Sequence, residues 1–302
     1  MTRGAASTVP TLRSLLFVPG NQPGMLQKAL GLTPDAYVPD LEDSVPDGEK
    51  DAARSLVADV LPEMARAGPL VVPRVNAMDS GLLEADLKAV VGPHTFGISV
   101  GKVGTASEVD HVSRLVEQAE RDNGAESGST RLVVWLESAL AIVNAYSICA
   151  ASTRTVAVAF GAEDFTNDMG IQRRDDDAEI AYARSAVSVA ARAAGVLALD
   201  TPFFRFRDPA ALREDALEAR TYGFRGKFAI HPAQIDILNE VFSPTRTEVG
   251  HARRVVEAFE KAERAGRGST SLDGVLIDIP VVKRARNLLR LAETAGHDGG
   301  GA

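Results

Sequence analysis

The sequence predicts a (β/α)8 barrel, an α/β fold of eight parallel strands alternating with helices, followed by a C-terminal helical extension. Three observations carry this. Short apolar runs recur at 15–18, 36–41, 70–75, 96–100, 132–136, 155–160, 196–199 and 227–230. Stretches of helical period follow them, at 23–30, 48–64, 80–90, 107–122, 138–151, 178–194, 209–222 and 232–242. Eight alternations in roughly 230 residues suit a barrel whose usual length is about 250. A doubly wound sheet is the alternative, but no Gly-x-Gly-x-x-Gly turn follows any of these strands.

Each strand run is too short for a stable helix and is continuously apolar, as a strand buried on both faces must be. The first run ends in Pro19-Gly20-Asn21, and Pro23 opens the helix behind it. Pro209 and Pro232 stand at the start of later helices, where a missing N–H costs nothing. Gly195 and Gly223 stand just past helices, as C-terminal caps do. The polar stretch 123–130 reads as a loop on the face opposite the strand-to-helix turns. Beyond the barrel come a charged helix at 245–264, a flexible linker at 266–271 and a last helix at 280–295. The expected organisation is a disordered N-terminus at 1–12, the barrel at 13–244, an extension acting as a lid at 245–296 and a disordered tail at 297–302.

Of the 302 residues, 45% are hydrophobic and 25% charged, with a net charge of −8. That profile belongs to an ordinary globular protein, and the negative balance argues against nucleic acid as a partner. No apolar run approaches the roughly 20 residues that span a bilayer, and the first residues lack a secretory signal's apolar stretch, so no membrane partner is expected. The single cysteine, Cys149, excludes an intrachain disulfide framework and fits a reducing cytoplasm.

In such a barrel the loops after the strands converge on one face, so polar residues there are site candidates. They are Pro19-Gly20-Asn21, Asp40, Glu42, Asp43, Arg74, Asn76, Lys102, Glu137, Glu163, Asp164, Asp200 and His231. Glu137 and Asp164 close successive strands, and two acids at neighbouring strand ends suit a hard cation, Mg²⁺ or alternatively Mn²⁺, which takes one or two carboxylates plus waters and substrate oxygens. The plainer alternatives are an ion pair for Glu137 and a helix cap for Asp164. Arg74 offers a planar fork for a substrate carboxylate or carbonyl, against a simple salt bridge. Glu42 and Asp43 either hold that arginine or serve the metal through water. Lys102 is set to pin a substrate oxygen or phosphate, or to make a structural ion pair. His231 reads more naturally as a helix cap than as a base. Asn21 and Lys28 are candidates for a cofactor phosphate. Metal, clamp and open strand ends together suggest chemistry on an oxo acid.

As a set, these residues resemble the HpcH/HpaI aldolase/citrate lyase superfamily, in particular its citrate lyase β-subunit-like (CitE-like) branch of CoA-ester lyases. The resemblance rests on Arg13-Ser14-Leu15-Leu16-Phe17-Val18-Pro19-Gly20-Asn21, Asp40-Leu41-Glu42-Asp43-Ser44-Val45-Pro46, Pro73-Arg74-Val75-Asn76, Phe160-Gly161-Ala162-Glu163-Asp164, Gly223-Phe224-Arg225-Gly226-Lys227, Ile230-His231-Pro232-Ala233-Gln234-Ile235 and Phe242-Ser243-Pro244. It runs from about Arg13 to about Glu293. It implies Mg²⁺ held by Glu137 and Asp164, and a CoA thioester and a 2-oxo acid as partners. The expected reaction is cleavage or formation of a 3-hydroxyacyl-CoA such as citramalyl-CoA or malyl-CoA. Arg74, Asp278, Asp43 and Glu42 are the implied catalytic residues; Arg74, Asn21, Lys28, Lys102, Gly161 and Ala162 are the implied substrate and CoA contacts. Asp278 would close the site of a neighbouring subunit, in a homotrimer or hexamer that exchanges lids. The β subunit of a multi-subunit citrate lyase acting on an acyl-carrier-protein thioester, or a non-catalytic CoA-binding barrel, are the alternatives. Two departures stand out: Gly104 where the branch usually carries an acid, and Arg205 where relatives often do.

Overall fold

A computed structural model of the chain describes residues 10–294. Residues 1–9 of the N-terminal tail expected at 1–12, and the tail expected at 297–302, lie outside the described residues. Leu12, grouped with the N-terminal tail on sequence, is instead 1% exposed and packs in the barrel core.

Nine strand segments form the sheet: β1 Ser14–Pro19, β2 Ala36–Asp40, β3 Leu70–Val71, β4 Arg74–Val75, β5 Gly97–Val100, β6 Arg131–Leu136, β7 Thr155–Phe160, β8 Leu197–Asp200 and β9 Gly226–Ala229. Segments β3 and β4 are one stave, since both pair with β2 and Pro73 between them has no N–H for the ladder. Every pairing is parallel, and β1 pairs with both β9 and β2, so eight staves close into the expected barrel.

The helices are α1 Pro23–Ala29, α2 Lys50–Ala67, α3 Leu83–Val90, α4 Ala106–Asp122, α5 Ala139–Val143, α6 Ala145–Ala150, α7 Ala162–Asp168, α8 Ala181–Ala194, α9 Pro209–Tyr222 and α10 Ile235–Val241. The helix expected at 138–151 breaks at Asn144, whose side-chain amide donates to the Gly104 carbonyl at 2.9 Å. Helix α7 has no counterpart in the sequence reading, because seven residues are too few to show a helical period.

Alternation along the strands sends Leu15, Phe17, Val38, Val133, Trp135, Leu199 and Phe228 into the interior. Phe17, Trp135 and Phe228 form a three-membered aromatic cluster with ring centroids 4.5–5.9 Å apart. The indole N–H of Trp135 donates to Ser99 Oγ at 2.7 Å, so the buried ring leaves no polar group unsatisfied. On the α4 side, Arg154 clasps the buried Glu120 with bonds of 2.7 and 2.8 Å, while the N–H groups of Gly128 and Thr130 also donate to it. Burial alone would raise this carboxyl, but those partners hold it down to about 2, and they pin the polar 123–130 loop.

A second compact unit begins at Glu240. It contains α11 Arg246–Arg264, the hairpin β10 Thr270–Leu272 with β11 Val275–Ile277, and α12 Ile279–Thr294, around Val255, Phe259, Ile277, Val282 and Ala285. The linker expected at 266–271 is corrected in part, for Thr270 and Ser271 are strand. Asp273-Gly274, both with left-handed φ (51° and 79°), make the two-residue turn that fits the twist of a hairpin.

Candidate functional site

The ladder register builds the site. Asp40 ends β2 and is paired with Arg74, the first residue of β4. Arg74 Nε donates to Asp40 Oδ1 and Nη2 to Asp40 Oδ2, both at 2.6 Å, a two-pronged carboxylate–guanidinium pair. Its Nη1 donates to Asp43 at 2.9 Å and stands 3.4 Å from Glu42. The guanidinium carbon lies 4.7 Å from the centroid of the Phe17 ring, a member of the aromatic cluster. Arg74 is therefore stacked on one face and braced along one edge.

Glu137 follows β6 and is 7% exposed. Its Oε1 accepts the backbone N–H of Lys102 at 2.5 Å. Lys102 presents that N–H from a left-handed backbone (φ 57°), and its Nζ approaches Glu42 Oε1 at 3.4 Å and Asp43 at 3.8 Å. Burial, then the neighbouring Asp164 and Glu42 carboxylates, push the Glu137 carboxyl up to about 8, against the Lys102 N–H and the Arg74 charge. Asp164, in the first turn of α7, is raised by burial and by Asp43. Glu42 is raised by burial too, and its enclosed Oε1 faces the Lys102 ammonium at 3.4 Å.

Two glycines make room for Glu137. A Cβ on Gly101 would come within 2.8 Å of Glu137 Oε1, and one on Gly161 within 2.6 Å of Oε2. Gly161→Ala is expected to reduce turnover about 10–100-fold, in the range for groups that orient metal ligands. Its extended backbone suits alanine, but the added Cβ would also stand 2.7 Å from Glu137 Cβ, so a melting temperature below wild type is expected beside the loss of turnover.

This set fits a divalent cation. Acids raised by burial and then by one another are relieved by positive charge. Glu137 and Asp164 are the ligands the set would offer, with Glu42 nearby. Among the described residues no group of three or more His, Cys, Asp or Glu forms a ready-made cage, as suits a Mg²⁺ ion that keeps waters and substrate oxygens.

The remaining candidates divide. Asn21 Nδ2 donates to Glu49 at 2.7 Å, and Lys28 is exposed on α1. Asn76 is spent on Asp86, through its backbone N–H and its amide, and Glu163 on Arg173. The Ala162 N–H is taken by Thr201 Oγ1 at 3.2 Å. His231 Nδ1 accepts from the Ala233 N–H at 3.2 Å and its ring stacks on Phe206, the capping role favoured on sequence. Asp200 is fully buried between Arg184 and Lys227. Arg205 is exposed over Phe203, and the Gly104 N–H donates to Glu108 at 2.7 Å. In the second unit, Asp278 Oδ1 accepts from the Val281 N–H at 3.2 Å, capping α12. Sequence reasoning underrated Asp40 and missed Phe17 and Gly101; the period-two inward position of Phe17 was the available signal.

Residues 13–232 match the HpcH/HpaI aldolase/citrate lyase family. The chain belongs to that family. It is accordingly an enzyme of the lyase type. It is 40% identical over 286 residues to the citrate lyase subunit beta of Escherichia coli (strain K12), covering 95% of each chain. It is 35% identical to a (3S)-malyl-CoA thioesterase of Cereibacter sphaeroides (strain ATCC 17029), over 93% of this chain and 94% of the relative. It resembles the crystal structure of CitE from Mycobacterium tuberculosis in complex with magnesium, acetoacetate and coenzyme A, with a TM-score of 0.75 and 30% identity over 96% of this chain and 99% of that one. Among the described residues no helix is long and apolar enough to cross a membrane.

Proposed function

We propose that the chain is a divalent-metal-dependent carbon–carbon lyase that cleaves, or forms, a 3-hydroxyacyl-CoA such as citramalyl-CoA or malyl-CoA. The products of cleavage are acetyl-CoA and a 2-oxo acid, pyruvate or glyoxylate. The observation that carries the reading is a braced guanidinium, Arg74, beside the acids Glu137, Asp164 and Glu42, all raised above their ordinary range. Likeness to a CitE structure holding magnesium, an oxo acid and coenzyme A supports it.

In cleavage the 3-hydroxyl proton leaves to a carboxylate, for which Asp43, exposed and next to Arg74 Nη1, is positioned. The C2–C3 bond breaks, C3 becomes the carbonyl of the oxo acid, and the bonding pair moves onto the thioester as an enolate. Arg74 Nη1 receives the carbonyl oxygen of the oxo acid, preorganised so that no reorientation is needed as charge shifts. Glu137 and Asp164 would hold Mg²⁺, which when bound would supply further positive charge beside the reacting oxo acid. A proton then returns to the enolate carbon, and Asp278 of a neighbouring subunit is the proposed acid. That role implies a homotrimer or hexamer exchanging C-terminal units. A cytoplasmic enzyme of this kind would draw on the CoA and oxo-acid pools there.

The test is the purified chain with Mg²⁺ and a panel of citramalyl-CoA and malyl-CoA, following acetyl-CoA and oxo acid. Cleavage abolished by EDTA and restored by Mg²⁺ is expected; no cleavage across the panel overturns the proposal. The 40% identity to a citrate lyase subunit favours a second reading, action on an acyl-carrier-protein thioester. Turnover confined to the carrier-bound substrate would select it, and release of free malate from acetyl-CoA and glyoxylate would point to thioester hydrolysis after condensation.

A further inference from the structure

We infer that Asp40 is the positioning residue of this site: its carboxylate locks the Arg74 guanidinium and the acid-bearing turn into one unit, leaving Nη1 as the edge that meets substrate. The inference rests on the lyase reading above and deepens it. Asp40 is 1% exposed, at the last position of β2. Both of its oxygens are fully engaged. Oδ1 accepts from Arg74 Nε at 2.6 Å and from the Glu42 N–H at 2.9 Å; Oδ2 accepts from Arg74 Nη2 at 2.6 Å and from the Ser44 N–H at 3.1 Å.

With four donors on it, this carboxylate has no face left for a metal or a substrate proton, although it lies among acids that do. Its work is geometric. One group sets the in-plane orientation of Arg74 and, through two backbone N–H groups, the path of the turn that carries Glu42 and Asp43. Phe17 closes the opposite face of the guanidinium at 4.7 Å, so rotation about the Asp40 contacts is the freedom left to remove. A bidentate pair fixes direction as well as distance, which a point charge cannot do.

The test is a double-mutant cycle of Asp40→Asn with Arg74→Lys, read in thioester cleavage and in the labelling rate of Arg74 by phenylglyoxal, followed by peptide mapping. Asparagine turns an N–H₂ toward one donor, so the guanidinium is released. Asp40→Asn is expected to lower kcat about 100-fold with KM changed less than about threefold, since a small misplacement of a clamp is felt chiefly in the chemical step. In the Arg74→Lys background the same change should remove less than about a further threefold, because the group it orients is already gone. Equal losses in both backgrounds overturn the inference and leave the lyase reading standing. Labelling of Arg74 should be at least about tenfold faster in Asp40→Asn; an unchanged rate overturns the inference even if no thioester is turned over, whereas wild-type inactivity overturns only the lyase reading. Should Asp40→Asn fail to fold, Asp40→Glu carries the same cycle: it keeps the charge and moves the guanidinium, so the same coupled kcat loss is expected and additive losses overturn the inference.

Discussion

Glu137→Gln is expected to abolish Mg²⁺ binding and to lower turnover at least about a thousandfold, while the barrel remains folded. Amide for carboxylate changes few atoms, so the space left by Gly101 and Gly161 stays filled. What disappears is the charge that a cation needs, along with stabilisation of the developing oxyanion, a contribution commonly about 10²–10³ for one donor alone. Without metal the same charge is a liability. Burial and the nearby Asp164 and Glu42 push this carboxyl up to about 8, whereas an unfolded chain titrates it near the ordinary value of about 4.3. Between those values the native state holds a proton that the unfolded state has lost. Stability from this group is therefore full at low pH and is lost as pH rises through about 8. Asp164 and Glu42 are raised as well and act in the same sense.

The measurable consequence is a melting temperature that declines between pH 6 and pH 9 in EDTA-treated wild type. Mg²⁺ should restore more at pH 9 than at pH 6, where it must displace a proton. In Glu137→Gln the decline should flatten and the Mg²⁺ response vanish. A variant that kept a Mg²⁺-dependent rise in melting temperature would remove Glu137 from the metal site.

The barrel was legible because its signal is local: eight apolar runs with turn residues at their ends, each interpretable without knowing its neighbours. The acids at strand ends were legible for the same reason, since the position after a parallel strand is a site position whatever the partner. What the residues do to one another was not, because it depends on register. Asp40 and Glu42 are two apart in sequence and look interchangeable; only the β2–β4 register decides that Asp40 meets Arg74 edge-on while Glu42 stands off at 3.4 Å. Asp200 fails for the mirror-image reason. It closes β8 as Glu137 closes β6, yet two cations that sequence could not bring to it, Arg184 from α8 and Lys227 from β9, consume it entirely. Asp273-Gly274 is different: the hairpin turn was readable from the dipeptide, and the charged, glycine-bearing stretch before it obscured the strands.

Arg184→Met should show how far that network is structural. Arg184 is 0% exposed and bonds Asp200 at 3.2 and 2.6 Å and Asp215 at 3.0 Å, while Lys227 Nζ lies 2.6 Å from Asp200 and 2.7 Å from Asp215. Burial would raise the Asp200 carboxyl, but Lys227 and Arg184 together outweigh it and hold it low. Methionine replaces the arginine's volume and none of its charge, leaving two acids to share one lysine, with Asp200 fully buried. Breaking a buried pair from one side costs about 3–5 kcal/mol, against about 1 kcal/mol or less for an exposed pair such as Arg121–Glu117. Urea unfolding should therefore show a loss of about 3–5 kcal/mol for Arg184→Met and almost none for Arg121→Met. Below its lowered transition, Arg184→Met should keep kcat within about threefold of wild type, because Asp200 carries stability rather than chemistry. A loss of kcat beyond the loss of folded protein would return Asp200 to the reacting site and require a charge relay running from β8 into the acid cluster.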